Sequence, residues 1–279
     1  MKTNILIPTD FSKNAYNAAT YAMKLYKNES CTFYLLNSWA FSVSHSRTYV
    51  TANYLKKLKE ESEKQLKDLK VQLKAEFKNT KHEFKTIISK DPLLVAIKKE
   101  TQAHLIDLII MGTKGATGAT ELFIGSNTVN VINKLKNCPI LIIPNEFDYV
   151  VPRKIAFSTD FNRFYGEELE HLIQLANLHK SKISVIHINE KNLTDKQNYN
   201  LAMLKAYLEN HKHRFHWMTG FSKKEHALKA ATEELSIDIL TMINYQHSFI
   251  ENIINEPVIK NIGFHPIIPF LVVPCFYEK

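Results

Sequence analysis

The chain has no apolar run long enough to cross a bilayer, because a spanning helix needs about 20 consecutive apolar residues. Its three cysteines, Cys31, Cys138 and Cys275, lie far apart and form no C-x-x-C or metal-like spacing. A scattered, odd number of cysteines indicates a reducing compartment. The first residues read as a short strand and not as a secretory signal. We therefore expect a cytoplasmic protein that does not contact a membrane.

Several catalytic motifs are also missing. The chain contains no G-x-x-x-x-G-K-S/T loop, no G-x-S-x-G elbow and no S-G-G-x-D-S loop, which argues against Walker-type NTPases, serine hydrolases and pyrophosphatase-type enzymes. His211, His213 and His216 lie close together, but no cysteine or carboxylate joins them at zinc-site spacing. We expect no metal-binding side-chain cluster there.

The net charge of +8 is not concentrated in one place. The densest basic run, residues 56–78, mixes lysine with aspartate and glutamate and repeats leucine at helical spacing. This pattern is typical of an amphipathic helix with a solvated, ion-paired outer face. A solvated face is therefore favoured over nucleic-acid or acidic-partner binding, and we expect no nucleic-acid partner.

The chain contains an internal repeat. Four segments return in the same order: 5–11 as 155–161, 35–37 as 185–187, 107–111 as 238–242, and 139–144 as 268–274. This predicts a duplicated domain, with boundaries at 1–147 and 151–279.

Each copy alternates short aliphatic runs with helical patterns. In the first copy the predicted strands are 3–8, 32–37, 83–88, 107–111 and 139–143, and the predicted helices are 13–27, 52–78, 92–103 and 126–136. Alternating strands and helices predict an α/β fold of two tandem, doubly wound, five-stranded parallel-sheet domains of Rossmann-like type. Ligands of such sheets bind beyond the carboxyl ends of the strands, where the strand order reverses.

Glycine is scarce, yet four of the seven glycines fall between positions 112 and 125, directly after the fourth predicted strand. Glycine reaches positive φ and lets a ligand approach the backbone, so Gly112 and Gly115 are expected to turn the chain and line it with N–H groups. Gly125 and Ser126 then open a helix, whose first N–H groups attract anions. Lys114 and the Ser126 and Thr128 hydroxyls are expected to add donors, and Asp10 to accept from a ribose hydroxyl.

These residues resemble the nucleotide signature of the universal stress protein family, G-x2-G-x9-G-S/T, which Gly112, Gly115, Gly125 and Ser126 match without a gap. The opening Pro8-Thr9-Asp10 also resembles that family. The resemblance implies that adenine lies against Pro8, Met111 and the end of the second strand, the ribose against Asp10 and Gly112, and the phosphates against the later glycines and Ser126. The candidate binding residues are Pro8, Thr9, Asp10, Ser38, Met111, Gly112, Lys114, Gly115, Gly125, Ser126, Asn127 and Thr128.

Two positions depart from the family pattern. Ser38 stands where an apolar residue often packs the adenine, and Asn127 replaces a small apolar residue. The second copy departs further, because Ile243 and Gln246 replace the first two glycines and no Gly-Ser pair precedes the last helix. We therefore expect nucleotide in the first copy alone.

The resemblance implies that 139–143 pairs with 270–273, so that the two copies form a pseudo-dimer within one chain; association into a homodimer is left open. The expected function is that of an adenine-nucleotide-binding stress or signalling module. The expected ligand is ATP, with Mg²⁺ as a candidate ion, and the expected partner is an unidentified protein. Two alternatives stay open: an interaction scaffold with a relic site, and a slow metal-dependent ATPase, for which Asp10 is the one carboxylate in place.

Overall fold

The computed structural model describes residues 2–39, 51–113, 125–145, 147–188, 192–221, 224–245 and 267–275. They belong to two compact units, Met1–Phe147 and Asp148–Lys279. Each unit is an α/β domain with a parallel sheet, so the predicted fold class is confirmed. None of the helices in these ranges is long and apolar enough to cross a membrane.

The first unit contains five strands and four described helices. The strands are β1 (Thr3–Pro8), β2 (Cys31–Ser38), β3 (His82–Ser89), β4 (Leu108–Gly112) and β5 (Ile140–Ile143). The helices are α1 (Lys13–Leu25), α2 (Ala52–Glu76), α3 (Leu93–Ala103) and α4 (Ser126–Lys134). Within this unit the strand order is β3-β2-β1-β4-β5, and the described pairings are parallel.

The second unit repeats this arrangement. Its strands are β6 (Lys154–Ser158), β7 (Lys182–Ile188), β8 (His213–Met218), β9 (Ile239–Asn244) and β10 (Phe270–Pro274). Its described helices are α5 (Glu168–His179), α6 (Asp195–Tyr207) and α7 (Lys224–Glu234). The order β10-β9-β6-β7-β8 matches that of the first unit strand for strand, again with parallel pairing.

The central strands are buried because helices cover them. In β1, Ile5, Leu6 and Ile7 are fully buried, as are Ile109 and Ile110 in β4. Each unit has a helix that begins at a hydroxyl cap: Ser12 accepts from the Ala15 N–H in α1, and Thr194 forms a capping box with Gln197 at α6. A cap satisfies N–H groups that have no partner inside the helix.

In both units an aspartate just before the fourth strand bonds to the main chain of the first strand. Asp107 accepts from the Asn4 N–H at 2.8 Å, and Asp238 accepts from the Lys154 N–H at 2.9 Å. In each unit the aspartate N–H also donates back to the same residue's carbonyl. These bonds fix the register at which β4 and β9 enter their sheets, and so fix where the strands end.

Candidate functional site

The carboxyl ends of β1 and β4 lie side by side where the strand order of the first unit reverses. The chain passes from β1 outward to β2 and β3, and β4 then pairs with the other side of β1. Pro8 ends β1, and Met111 and Gly112 end β4; all three are buried. Ligands of doubly wound sheets bind in the crevice that such a reversal opens. The two segments singled out from the sequence therefore leave the sheet at the edge where doubly wound sheets bind their ligands.

The loop after β1 is held by its own side chains. The buried Thr9 accepts from the Phe11 N–H at 3.0 Å, and Asp10 accepts from the Ser12 N–H at 3.1 Å. Phe11 has φ 64°, a left-handed conformation that large side chains rarely adopt. Strain of this kind persists only where the surroundings enforce it. The loop keeps the exposed Asp10 carboxylate at the edge of the sheet.

Asn37, at the end of β2, fixes this loop from the side. Its Nδ2 donates to the Thr9 carbonyl at 2.8 Å, while the Thr9 N–H donates to the Leu36 carbonyl at 2.8 Å. Asn37 is buried, so this bond is shielded from water. Thr9 is thereby tied to β2 through both its N–H and its carbonyl.

Gly112 is required for a different reason from the one the sequence suggested. A Cβ at this position would lie 2.6 Å from Asn14 Nδ2 and 2.8 Å from Asn14 Cγ. Gly112 does not have positive φ, and Gly125 has φ −62°. The expectation that Gly112 turns the chain through positive φ is therefore wrong. Gly112 is needed because the buried Asn14 side chain of α1 packs directly against its backbone.

The start and end of the glycine-rich loop meet. The Gly125 N–H donates to the Thr113 carbonyl at 2.5 Å, and Thr128 Oγ1 donates to the Gly112 carbonyl at 3.0 Å. A hydroxyl has one proton, and Thr128 is buried. Thr128 therefore ties α4 to β4, and its proton is not directed at a phosphate as we expected. Lys114 and Gly115 lie outside the described residues.

Helix α4 begins without a side-chain cap. Its N-cap is Gly125, which has no side chain to accept from the first N–H groups, and the next residue, Ser126, is exposed. Asn127, also in the first turn, is half-buried. The first turn of such a helix carries N–H groups with no partner inside the helix, and the helix dipole adds positive potential there. This first turn contains Gly125 and Ser126, where the family resemblance expects phosphate.

Ser38 is engaged by the chain itself. Its hydroxyl donates to the Asp91 carbonyl at 2.6 Å, and Asp91 is in turn held by Ser89, whose Oγ accepts from the Asp91 N–H at 3.0 Å. A serine in this position fixes the start of α3 to the end of β2. Its hydroxyl proton is therefore already used within the chain.

The equivalent place in the second unit is filled by side chains. The Asp160 carboxylate accepts from Tyr245 Oη at 2.6 Å, from Asn162 Nδ2 at 2.8 Å and from Tyr165 Oη at 3.3 Å. Burial, and then the bond to Asp160, raises the pKa of Tyr245. Both tyrosines therefore remain protonated donors at neutral pH.

The loop geometry of the two units is nevertheless the same. Phe161 has φ 56° and donates its N–H to Thr159 Oγ1 at 3.1 Å, as Phe11 does in the first unit. His187 takes the place of Asn37 and contacts the Thr159 carbonyl through Nδ1 at 2.9 Å. The repeat has kept the loop, while the groups around its aspartate have changed.

A buried ion pair adjoins this filled site. Arg163 donates to Glu168 at 2.6 Å and to the Cys275 sulfur, and its guanidinium lies 5.4 Å from the centre of the Tyr165 ring and 5.7 Å from that of Tyr245. Glu168 is 1% exposed, so its charge needs this partner. The pair holds both tyrosines beside Asp160.

Sequence reasoning missed Asn14 and, in the second unit, Arg163, Tyr165 and Tyr245. Asn14 has no motif, because its role depends on α1 crossing β4. Tyr245 occupies the repeat position of Lys114. Extending the alignment of the two copies beyond Gly112 would have shown that a tyrosine replaces this lysine.

Comparison with known proteins agrees with this architecture. The family model described as "Universal stress protein family" matches residues 1–144. A universal stress protein of Methanocaldococcus jannaschii is 32% identical over 155 residues, which are 51% of this chain and 95% of that protein. The chain belongs to the universal stress protein family. The predicted family membership is thus confirmed.

Solved structures match the whole length of this universal stress protein. One from Archaeoglobus fulgidus, itself a universal stress protein, has a TM-score of 0.72 at 18% identity, covering 97% of this chain and 96% of that one. A protein of unknown function from Pseudomonas aeruginosa has a TM-score of 0.61 at 15% identity, covering 97% and 92%. At such identities the likeness establishes the fold, here with both units included.

Proposed function

We propose that the first unit binds one adenine nucleotide, with ATP as the expected form, at the edge where β1 and β4 end. The observation that carries the proposal is the meeting, at the strand-order reversal, of an exposed carboxylate, Asp10, with the first turn of α4, which begins at Gly125 without a side-chain cap. A ribose offers hydroxyl donors to a carboxylate.

The start of α4 supports a phosphate position. Gly125 caps this helix without a side chain, while Ser12 and Thr51 occupy the same position at α1 and α2 with hydroxyls that accept from the helix. An anion can therefore accept from the α4 N–H groups without displacing a capping side chain. Ser126 and Asn127 add exposed and half-exposed polar side chains in the first turn.

The second unit is not expected to bind a nucleotide. A ribose hydroxyl at Asp160 would have to replace Tyr245, whose Oη lies 2.6 Å from the carboxylate. The Gly112 position holds the buried Ile243, so this glycine of the first unit has no counterpart here. We therefore propose one nucleotide for each chain.

A stress or signalling module fits this chemistry better than an efficient enzyme. Asp10 is the one carboxylate of the candidate residues, and general-base catalysis commonly needs a base oriented by further groups. Bound ATP, with Mg²⁺ on its phosphates, would supply a negatively charged surface that a protein partner can recognise. An interaction scaffold is the second candidate, because the second unit already keeps this fold with its site filled by Tyr165 and Tyr245.

The test is to denature freshly purified protein and measure the nucleotide released, beside Gly125→Val, which places a branched side chain at the N-cap of α4. The matched pair Asp10→Ala and Asp160→Ala compares the two units directly. We expect about one adenine nucleotide for each wild-type chain, loss of it in Gly125→Val and Asp10→Ala, and retention in Asp160→Ala.

Folding of each variant is checked by circular dichroism, so that a lost ligand is not confused with a lost fold. A folded wild type that carries no nucleotide, and that gives no heat with added ATP and magnesium in calorimetry, would overturn the proposal. Equal loss from Asp10→Ala and Asp160→Ala would overturn the assignment to one unit.

A further inference from the structure

Strand β8 is the outermost strand of the second unit on its side of the sheet. It pairs in parallel with β7 over six residue pairs, from Ile183 with His213 to Ile188 with Met218. Among the described ranges, no strand pairs with its other side. An outermost strand presents a row of main-chain donors and acceptors that an added strand can use.

The main-chain groups facing outward follow from the register. The Ile183 N–H donates to the Lys212 carbonyl at 2.8 Å. In a parallel ladder both main-chain groups of a residue point to the same side and alternate along the strand. Arg214 and His216 therefore face β7, and the N–H and C=O groups of His213, Phe215 and Trp217 face outward.

The charge on this edge has one sign. Strands β7 and β8 contain no aspartate or glutamate, and Lys182, Lys212 and Arg214 are exposed. Within the described part of the chain these three form no ion pair. Burial, and after it the charges of Arg214 and Lys182, lower the pKa of His216.

The corresponding edge of the first unit is built differently. On β3, Glu83 pairs with Lys2 at 2.5 Å and with Lys85 at 3.9 Å, so that charge is balanced there. Charged side chains on an edge strand discourage pairing with another chain, most strongly with a strand of like charge. Strand β8 carries positive charge alone, together with aromatic residues, so its charges oppose a basic strand but not an acidic one.

Trp217 offers an apolar contact on the same strand. Its side chain is 48% exposed, and its ring lies 5.1 Å from that of His187 and 5.8 Å from that of Phe161. A tryptophan that is packed on one face and exposed on the other is the kind of residue that dominates binding energy at interfaces.

We propose that the β8 edge binds an extended acidic segment of a partner protein, which adds to the sheet as a further strand. The main-chain groups of Phe215 and Trp217 pair with the segment, and Lys212 and Arg214 face its carboxylates. A second copy of β8 fits worse, because its cations would meet those of the first. A nucleic acid would satisfy the charges but has no alternating N–H and C=O groups to match the edge.

The probe is a synthetic, end-blocked octapeptide of alternating glutamate and valine, added to the full chain and followed by hydrogen exchange of individual amides. In the free chain the Phe215 and Trp217 amides exchange quickly and those of Arg214 and His216 slowly. Bound peptide slows the two fast amides. The Lys212→Glu/Arg214→Glu variant weakens binding by about tenfold or more, whereas Lys229→Glu, an exposed charge on α7, leaves it unchanged.

Two control ligands separate strand addition from simple charge attraction. The same peptide with N-methyl groups at alternate residues keeps its charge but cannot pair, and it is expected not to bind. A single-stranded oligonucleotide is expected to leave the Phe215 and Trp217 amides unprotected. Equal binding of the methylated peptide, protection by the oligonucleotide, or slow exchange of both amides in the free chain would each overturn the proposal.

Discussion

Replacing Asp160 with alanine should destabilise the second unit far more than the same replacement at Asp10 destabilises the first. The two aspartates follow equivalent strands and sit in loops of the same conformation. They differ in what surrounds them, because Asp160 accepts from three protein side-chain donors, while Asp10 is exposed at the edge of its sheet.

The magnitude follows from the donors that would lose their acceptor. Tyr245 and Asn162 bond to the carboxylate at 2.6 and 2.8 Å, and Tyr165, which is 3% exposed, bonds at 3.3 Å. A hydrogen bond to a charged group contributes about 1.5–3 kcal/mol, and a buried donor left without a partner costs about 1–3 kcal/mol. Since such terms do not add fully, we expect about 3 kcal/mol for Asp160→Ala. For Asp10→Ala we expect about 1 kcal/mol or less.

The assay uses the two tryptophans, one in each unit: Trp39 in the first and Trp217 in the second. Urea unfolding of Asp160→Ala is followed in a Trp39→Phe background, where fluorescence reports the second unit. Asp10→Ala is followed in a Trp217→Phe background, after removal of nucleotide. Separate probes are needed because a two-unit chain need not unfold in one step.

Similar losses in the two variants would contradict the argument that the second site is filled by its own side chains. A loss below about 1 kcal/mol for Asp160→Ala would do the same, since three directed donors could then be removed from their acceptor at little cost. Tyr245→Phe is the companion variant, and it should account for a large part of the Asp160 effect.

Two further predictions concern packing and pH. Gly112→Ala should destabilise the first unit by about 2 kcal/mol in urea unfolding, because its Cβ would lie 2.6 Å from Asn14 Nδ2. If this contact is the cause, Gly112→Ala and Asn14→Ala should couple in a double-mutant cycle, and additive effects would refute it. Burial lowers the pKa of His187, so its contribution to stability is present above the unfolded value near 6.5 and lost as pH falls. His187→Asn, which copies Asn37, should reduce the loss of stability between pH 7 and 5; an unchanged pH profile would contradict it.

The limits of sequence reasoning are clearest at the two glycines. The cluster of glycines after β4 pointed to the edge of the sheet at which the strand order reverses, because parallel strands end together. The reason given for Gly112 was wrong. A positive φ can be guessed from local sequence, but the approach of Asn14 depends on how α1 crosses β4.

The site of the second unit shows the same limit of sequence reasoning. The repeat identified Asp160 as the partner of Asp10, and the missing glycines predicted a changed second site. The tyrosines that bond to Asp160 could not be predicted, since Tyr165 and Tyr245 are 80 residues apart and meet only when β9 pairs with β6. The Arg163–Glu168 pair that supports them is likewise a tertiary contact.

The sequence by itself determined the order of strands and helices, the duplication and the family. These depend on periodicity, capping and short motifs, which act between residues close in the chain. The tertiary structure decided which donors and acceptors are already used: Ser38 by Asp91, Thr128 by Gly112, and Asp160 by two tyrosines. A hydrogen bond depends on distance and direction in space, and a sequence pattern specifies neither between residues far apart in the chain.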